Sequence, residues 1–257
     1  MYRTFCNFRF ALILCVVASN CAMAQAVQPT STQRTVAEIP SAKQSGATPT
    51  HPALVQVDED PKLPRVLLIG DSITMGYTQP LRDRLKTKAN VQHPNENCGP
   101  SPRIVEHLDQ YLGSKPWDVI QINCGIHDLT HMNSNRKATS PKDGGKVQVP
   151  LDEYRSNLEK IVVRLRKTGA KLIWCTTTPL HNPPAFRLTD DVDHYNDVAK
   201  EVMQEHGVQI NDINRQVLKA GKPLWAKDGV HFSPEGYVEL AKLAAPAIEA
   251  ALPSPKK

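Results

Sequence analysis

At 257 residues and 40% apolar composition, the chain can bury one sizeable core, the scale of a single α/β domain with appendages. Its formal net charge of +5 includes Arg3 and Arg9, which lie in a segment expected to be removed. With no basic run and no interleaved aromatics, the remaining excess reads as solvated surface charge and gives no case for nucleic acid as a partner.

Residues 1–24 have the parts of a secretory signal peptide: Arg3 and Arg9, an apolar run from Phe10 to Ala18, and the small-residue site Ala22-Met23-Ala24. The mature protein is therefore expected to be secreted or periplasmic. The run is short for a bilayer, and no later stretch reads as a transmembrane segment. Cys21 raises a lipoprotein site, but Asn20 before it is a poor substitute for the small residue required. Cys6, Cys15 and Cys21 would leave with the signal, so Cys98, Cys124 and Cys175 remain and can form at most one internal disulfide. Cys98 and Cys124 sit at the same expected sheet edge, whereas Cys175 lies inside an apolar strand. Residues 25–63, rich in Thr, Ser, Gln, Pro and Ala, read as a flexible linker, because such a segment buries too little to offset its ordering entropy.

The folded domain is expected over 64–252, with 253–257 as a tail. Val66 to Ile69 form an apolar run that reads as a strand buried on both faces and stops at Gly70-Asp71-Ser72. Leu81 and Leu85, set among Arg82, Asp83, Arg84 and Lys86, predict an amphipathic helix ending near Lys88. A short strand is expected over Ala89–His93, a turn over Asn97–Pro102, and a helix over Arg103–Leu112 with Gly113 as its C-terminal cap. Trp117–Cys124 is the third strand, followed by Gly125-Ile126-His127-Asp128. Thr130–Pro150 reads as a long surface loop. Helix Leu151–Lys167, strand Lys171–Pro179, loop His181–Thr189, helix Asp190–His206, strand Val208–Asn211 and a short helix Asp212–Ala220 follow. Ser233-Pro234-Glu235 starts a last helix that runs to Ala251, with serine as cap and proline at the first position.

This alternation implies a parallel sheet of about five strands covered on both faces, whose ligand site gathers at the carboxyl ends of the strands. Asp71-Ser72, Cys98-Gly99, His127-Asp128 and Thr178-Pro179 all fall there, and the loops Thr130–Pro150 and His181–Arg187 leave the same edge. Asp71 and Ser72 could simply cap a helix, as such residues do after a strand. Near the other end of the chain, however, stands Asp228-Gly229-Val230-His231. A carboxylate three residues before an imidazole can fold back and fix its tautomer, leaving the other ring nitrogen to take a proton from a serine. Ser72 needs such a base to become a nucleophile. His127, Asp128 and His131 offer a rival grouping of three possible metal ligands, although Asp128 also suits the capping of a neighbouring turn. No metal or other cofactor is assigned.

Gly70-Asp71-Ser72-Ile73, Asn97-Cys98-Gly99, Gly125-Ile126-His127-Asp128 and Asp228-Gly229-Val230-His231 resemble, in order and spacing, the blocks of the SGNH (GDSL-like) hydrolase family over about Pro64–Leu252. The resemblance implies a three-layer α/β/α, flavodoxin-like fold and ester hydrolysis through a seryl acyl-enzyme. It implies Ser72 as nucleophile, His231 as base and Asp228 as its orienting carboxylate, with Asp71 and Asp128 in support. The oxyanion would be held by the N–H groups of Ser72 and Gly99 and by a side chain from the third block. In the family that side chain is usually the asparagine of GxND; here His127 stands in its place. The expected function is a secreted serine esterase acting on short acyl esters, with a small-molecule or carbohydrate O-acetyl ester as substrate. The alternative is a non-catalytic glycan-binding protein whose site His127 has spoiled.

Overall fold

The computed structural model describes residues 51–221 and 223–254, so the expected signal peptide and most of the expected linker lie outside the described residues. Five parallel strands form one sheet in the order β2-β1-β3-β6-β7: β1 (Arg65–Ile69), β2 (Asn90–Gln92), β3 (Val119–Ile122), β6 (Lys171–Cys175) and β7 (Gln209–Asn211). Successive side chains of a strand point to opposite faces, and β1 shows it directly. Val66 and Leu68 pack with helices α1 (Ser72–Leu85), α5 (Ile213–Ala220) and α6 (Pro234–Ala251). Leu67 and Ile69 pack with α2 (Ser101–Leu112), α3 (Leu151–Arg166) and α4 (Thr189–Glu205). The result is the three-layer α/β/α sandwich, with Cys175 of β6 buried in it as expected and Trp174 beside it wholly buried.

Three expectations are corrected. Residues 130–150 are not structureless: His131–Met132 (β4) and Lys146–Val147 (β5) pair antiparallel, and a short 3-10 turn, Pro141–Asp143, lies between them. Arg82 is not on the solvent face of α1. It is buried, and its guanidinium donates to the carbonyls of Val91 (3.0 Å), Pro52 (2.8 Å) and Val55 (3.0 Å).

The third correction concerns the end of the linker. Residues 51–63 lie along the edge strand β2, held mainly by side-chain amides. Asn90 Nδ2 donates to the carbonyls of Asp60 (2.8 Å) and Leu63 (3.0 Å), and Gln92 Nε2 donates to that of Val57 (2.7 Å). Ala53 is wholly buried. The segment thus covers a sheet edge that would otherwise present unpaired backbone groups.

Candidate active site

Strand β1 ends at Ile69 and α1 begins at Ser72, so the chain turns at the carboxyl edge of the sheet. Asp71 is the N-cap: its Oδ1 accepts from the Ile73 N–H at 2.9 Å. Asp71 therefore does the capping and leaves the Ser72 hydroxyl free of that task. Ser72 Oγ lies 2.9 Å from His231 Nε2, across 159 residues of sequence.

His231 is fixed from the other side. Its Nδ1 lies 2.6 Å from Asp228 Oδ2, while Asp228 Oδ1 accepts from the N–H groups of Val230 (3.0 Å) and His231 (2.9 Å). An ionised carboxylate can only accept, so the proton sits on Nδ1 and Nε2 is left to accept from Ser72. Burial works to raise the Asp228 pKa, but the hydrogen bonds from the His231 ring and the two backbone N–H groups outweigh it and hold it at about 2. The turn depends on Gly229, which has φ +67° and whose β-carbon, if present, would meet the His181 carbonyl oxygen at 1.9 Å. His181 N–H donates to the Gly229 carbonyl at 2.9 Å, tying the loop after β6 to the one that carries the imidazole.

His127 is half-buried, and burial depresses its pKa. The charge of Asp71 opposes the shift, while Arg187 and His231 reinforce it. A neutral imidazole retains one ring N–H that can donate to a developing negative charge. Gly99 departs from expectation, because its N–H donates to Asn97 Oδ1 at 2.9 Å and is not free. The first-turn N–H of Ser72 has no partner within its own helix.

Asp128 points away from this centre. Its Oδ1 accepts from the Ser101 N–H at 2.8 Å, bracing the start of α2, and burial pushes its pKa up to about 6. Asp71 is likewise raised by burial, against the pull of His127, of the Ile73 N–H and of His231 and Arg187. The rival metal grouping does not converge: Asp128 faces α2, and His131 faces Asp191, with 3.7 Å between Nε2 and Oδ2. Cys98 and Cys124 are buried free thiols, and burial pushes Cys98 up to about 12.

Arg187 is the residue that sequence reasoning left unassigned. It was visible only as the cation closing the loop from His181 to Arg187. In the structure it is half-buried and lies in the field of both Asp71 and Asp228.

Known proteins resemble this chain in sequence and in fold. The model of the GDSL-like Lipase/Acylhydrolase family matches residues 68–238. The isoamyl acetate-hydrolyzing esterase 1 homolog of Mus musculus is 28% identical over 200 residues, 67% of this chain and 76% of the mouse protein. Among solved structures, the lipase/acylhydrolase of Enterococcus faecalis superposes with a TM-score of 0.62 at 20% identity, covering 76% of this chain and 100% of that one. The acetyl xylan esterase AlAXEase gives 0.59 at 18% identity, covering 72% of this chain and 99% of its own. At these identities the structures show a shared fold.

Proposed function

The chain belongs to the GDSL-like lipase/acylhydrolase family and is an ester hydrolase of that type, and from this premise we propose that it is a secreted serine esterase that removes short acyl groups, with O-acetyl groups of carbohydrates as its substrates. The observation that carries the reading is the continuous chain Ser72 Oγ, His231 Nε2, His231 Nδ1, Asp228 Oδ2, with steps of 2.9 and 2.6 Å.

In the reaction, Ser72 Oγ attacks the acyl carbon while its proton passes to His231 Nε2. The imidazolium is steadied by Asp228, which stays ionised because its pKa is held at about 2. The tetrahedral oxyanion takes hydrogen bonds from the Ser72 N–H and the His127 ring. His231 then protonates the departing alcohol, and water, deprotonated by the same nitrogen, releases the acid from Ser72.

Two features support a sugar ester over a long-chain lipid. A groove of about 950 Å³ begins one residue past Gly99 and is lined by Pro100, Arg103, Met132, Asn133 and Lys146, but by none of Ser72, His127 and His231. The exposed His181 ring stacks on Trp225 with centroids 5.0 Å apart, next to the turn that carries His231. Flat rings of this kind offer an apolar face with a polar edge. The similarity to an acetyl xylan esterase points the same way.

The test is hydrolysis of acetylated xylose oligomers and of 4-nitrophenyl acetate, octanoate and palmitate, together with labelling by a fluorophosphonate probe. Acetyl release and labelling in the wild type, both absent in Ser72→Ala, are expected. Labelling that survives Ser72→Ala sinks the nucleophile assignment, and a preference for palmitate sinks the short-acyl assignment.

A further inference from the structure

Arg187 is held in place by more contacts than a surface cation needs. Its own N–H donates to the Pro184 carbonyl at 2.9 Å, and the preceding carbonyl, Phe186 O, accepts from the His131 N–H at 2.8 Å. The side chain is pinned at Nε, which donates to Thr130 Oγ1 at 3.0 Å and to Ile126 O at 3.3 Å. Thr130 is itself oriented, because its hydroxyl donates to the Ile126 carbonyl at 2.9 Å. The guanidinium is therefore attached to the same short segment that carries His127.

These bonds use one of the five N–H donors of the guanidinium. Among the described residues the four N–H groups on Nη1 and Nη2 meet no acceptor, and no carboxylate comes within ion-pair distance of them. Asp71, next to Ser72, and Asp228, the partner of His231, both act electrostatically on the Arg187 guanidinium. The guanidinium carbon also lies 5.4 Å from the centre of the Phe186 ring, a contact that leaves its Nη groups unbonded. A planar fork of donors is the shape that a carboxylate fills with two parallel hydrogen bonds.

We propose that Arg187 binds a carboxylate carried on the alcohol portion of the substrate, so that the preferred esters are acylated hydroxy acids, such as an O-acetylated uronic acid residue. The proposal rests on the serine esterase reading above and adds the charge of the substrate to it. A single oxyanion oxygen would use one donor of the fork, whereas the two free nitrogens present a pair. Once bound, the substrate carboxylate neutralises Arg187 at a fixed distance from the ester.

The experiment compares 4-acetoxybenzoate with its primary amide, 4-acetoxybenzamide, which replaces the carboxylate remote from the acetyl group by a neutral group of similar size and adds no second ester; release of acetate is followed for both. In the wild type kcat/KM should favour the acid about tenfold, by the usual worth of a charge-assisted hydrogen bond. In Arg187→Gln that ratio should collapse towards one, mainly through KM, and Arg187→Lys should retain part of it. Thr130→Val, which removes one of the two acceptors of Nε but keeps the charge, should reduce the ratio by a smaller factor. Equal losses on both substrates in Arg187→Gln would mean a role at the oxyanion or in folding and would overturn the proposal, as would a wild-type ratio near one.

A second reading is independent of turnover. Binding of 4-hydroxybenzoate to Ser72→Ala, measured by calorimetry, should weaken about tenfold when Arg187→Gln is added. Undiminished binding overturns the proposal even if no ester is hydrolysed. Loss of turnover in the wild type, with Arg187-dependent binding intact, would instead count against the esterase reading alone.

Discussion

A β-carbon placed on Gly76 would lie 2.0 Å from the ring of Tyr237. Gly76 belongs to α1, four residues after Ser72, and Tyr237 to α6, six residues after His231. Their contact sets how closely the helix bearing the hydroxyl approaches the one that follows the imidazole. In an exposed helix interior, replacing glycine by alanine adds up to about 1 kcal/mol of stability. Here Gly76→Ala should instead cost about 1–3 kcal/mol, the range for overpacking, and slow ester hydrolysis. Thermal unfolding and kcat check this together. Adding Tyr237→Leu to the same chain should restore much of the loss, whereas a gain in stability for the single variant would show that the ring swings aside freely.

Asp228→Asn preserves the oxygen that accepts from Val230 and His231 but turns an NH2 group towards Nδ1. The imidazole then loses the partner that keeps its proton on that nitrogen. We expect kcat on 4-nitrophenyl acetate to fall by roughly 10³–10⁴, with little change in the unfolding midpoint. A drop of less than tenfold would mean that the 2.6 Å contact does not orient the base.

His127→Ala should reduce kcat by about 10²–10³ and leave KM nearly unchanged, because an oxyanion donor acts mainly in the transition state. The Gly99 N–H provides a second measurement. Asn97→Ala removes its acceptor, and in the His127→Ala background the released donor should recover roughly fivefold of the lost rate, the worth of one neutral hydrogen bond. If the double variant is slower than His127→Ala, the Asn97 contact supports the site and does not compete with it.

Asp128 gives a pH signature with a definite sign. Its pKa is pushed up from 3.8 to about 6 by burial, so between those values the folded state binds more protons than the unfolded one and stability falls as pH rises. At neutral pH the buried charge costs on the order of 3 kcal/mol relative to pH 4. Asp71, also raised by burial, acts in the same direction. Asp128→Asn should therefore flatten the fall in unfolding midpoint between about pH 4 and pH 6, as circular dichroism melts would show. Asp228 has the opposite sign: its contribution is present above 3.8 and is lost as pH falls towards 2.

The strands and most helices were legible in the sequence because the sheet is buried on both faces. Runs such as Val66–Ile69 and Val119–Ile122 can hardly be anything else. The hairpin was not legible, since each arm pairs only two residues and neither arm has enough alternation to register as a strand. Arg82 misled because a helical arginine flanked by charges is usually solvated, and only the fold brings the carbonyls of Pro52 and Val55 within its reach. At the site, the Ser72 and Asp228–His231 motifs could be found because their chemistry depends on residue type and local turn. The engagement of the Gly99 N–H and the free end of Arg187 depend on where side chains end in space, and no spacing encodes that.

The strapping of residues 51–63 along β2 has a practical consequence for where this enzyme can be cut. Removing everything before Pro64 deletes carbonyls that Arg82, Asn90 and Gln92 donate to, strips the cover from the edge strand β2 and removes the wholly buried Ala53 from its packing. The smallest self-sufficient catalytic fragment therefore starts at or before His51, and a protease or an engineer trimming to the family's first motif would remove part of the hydrolase itself.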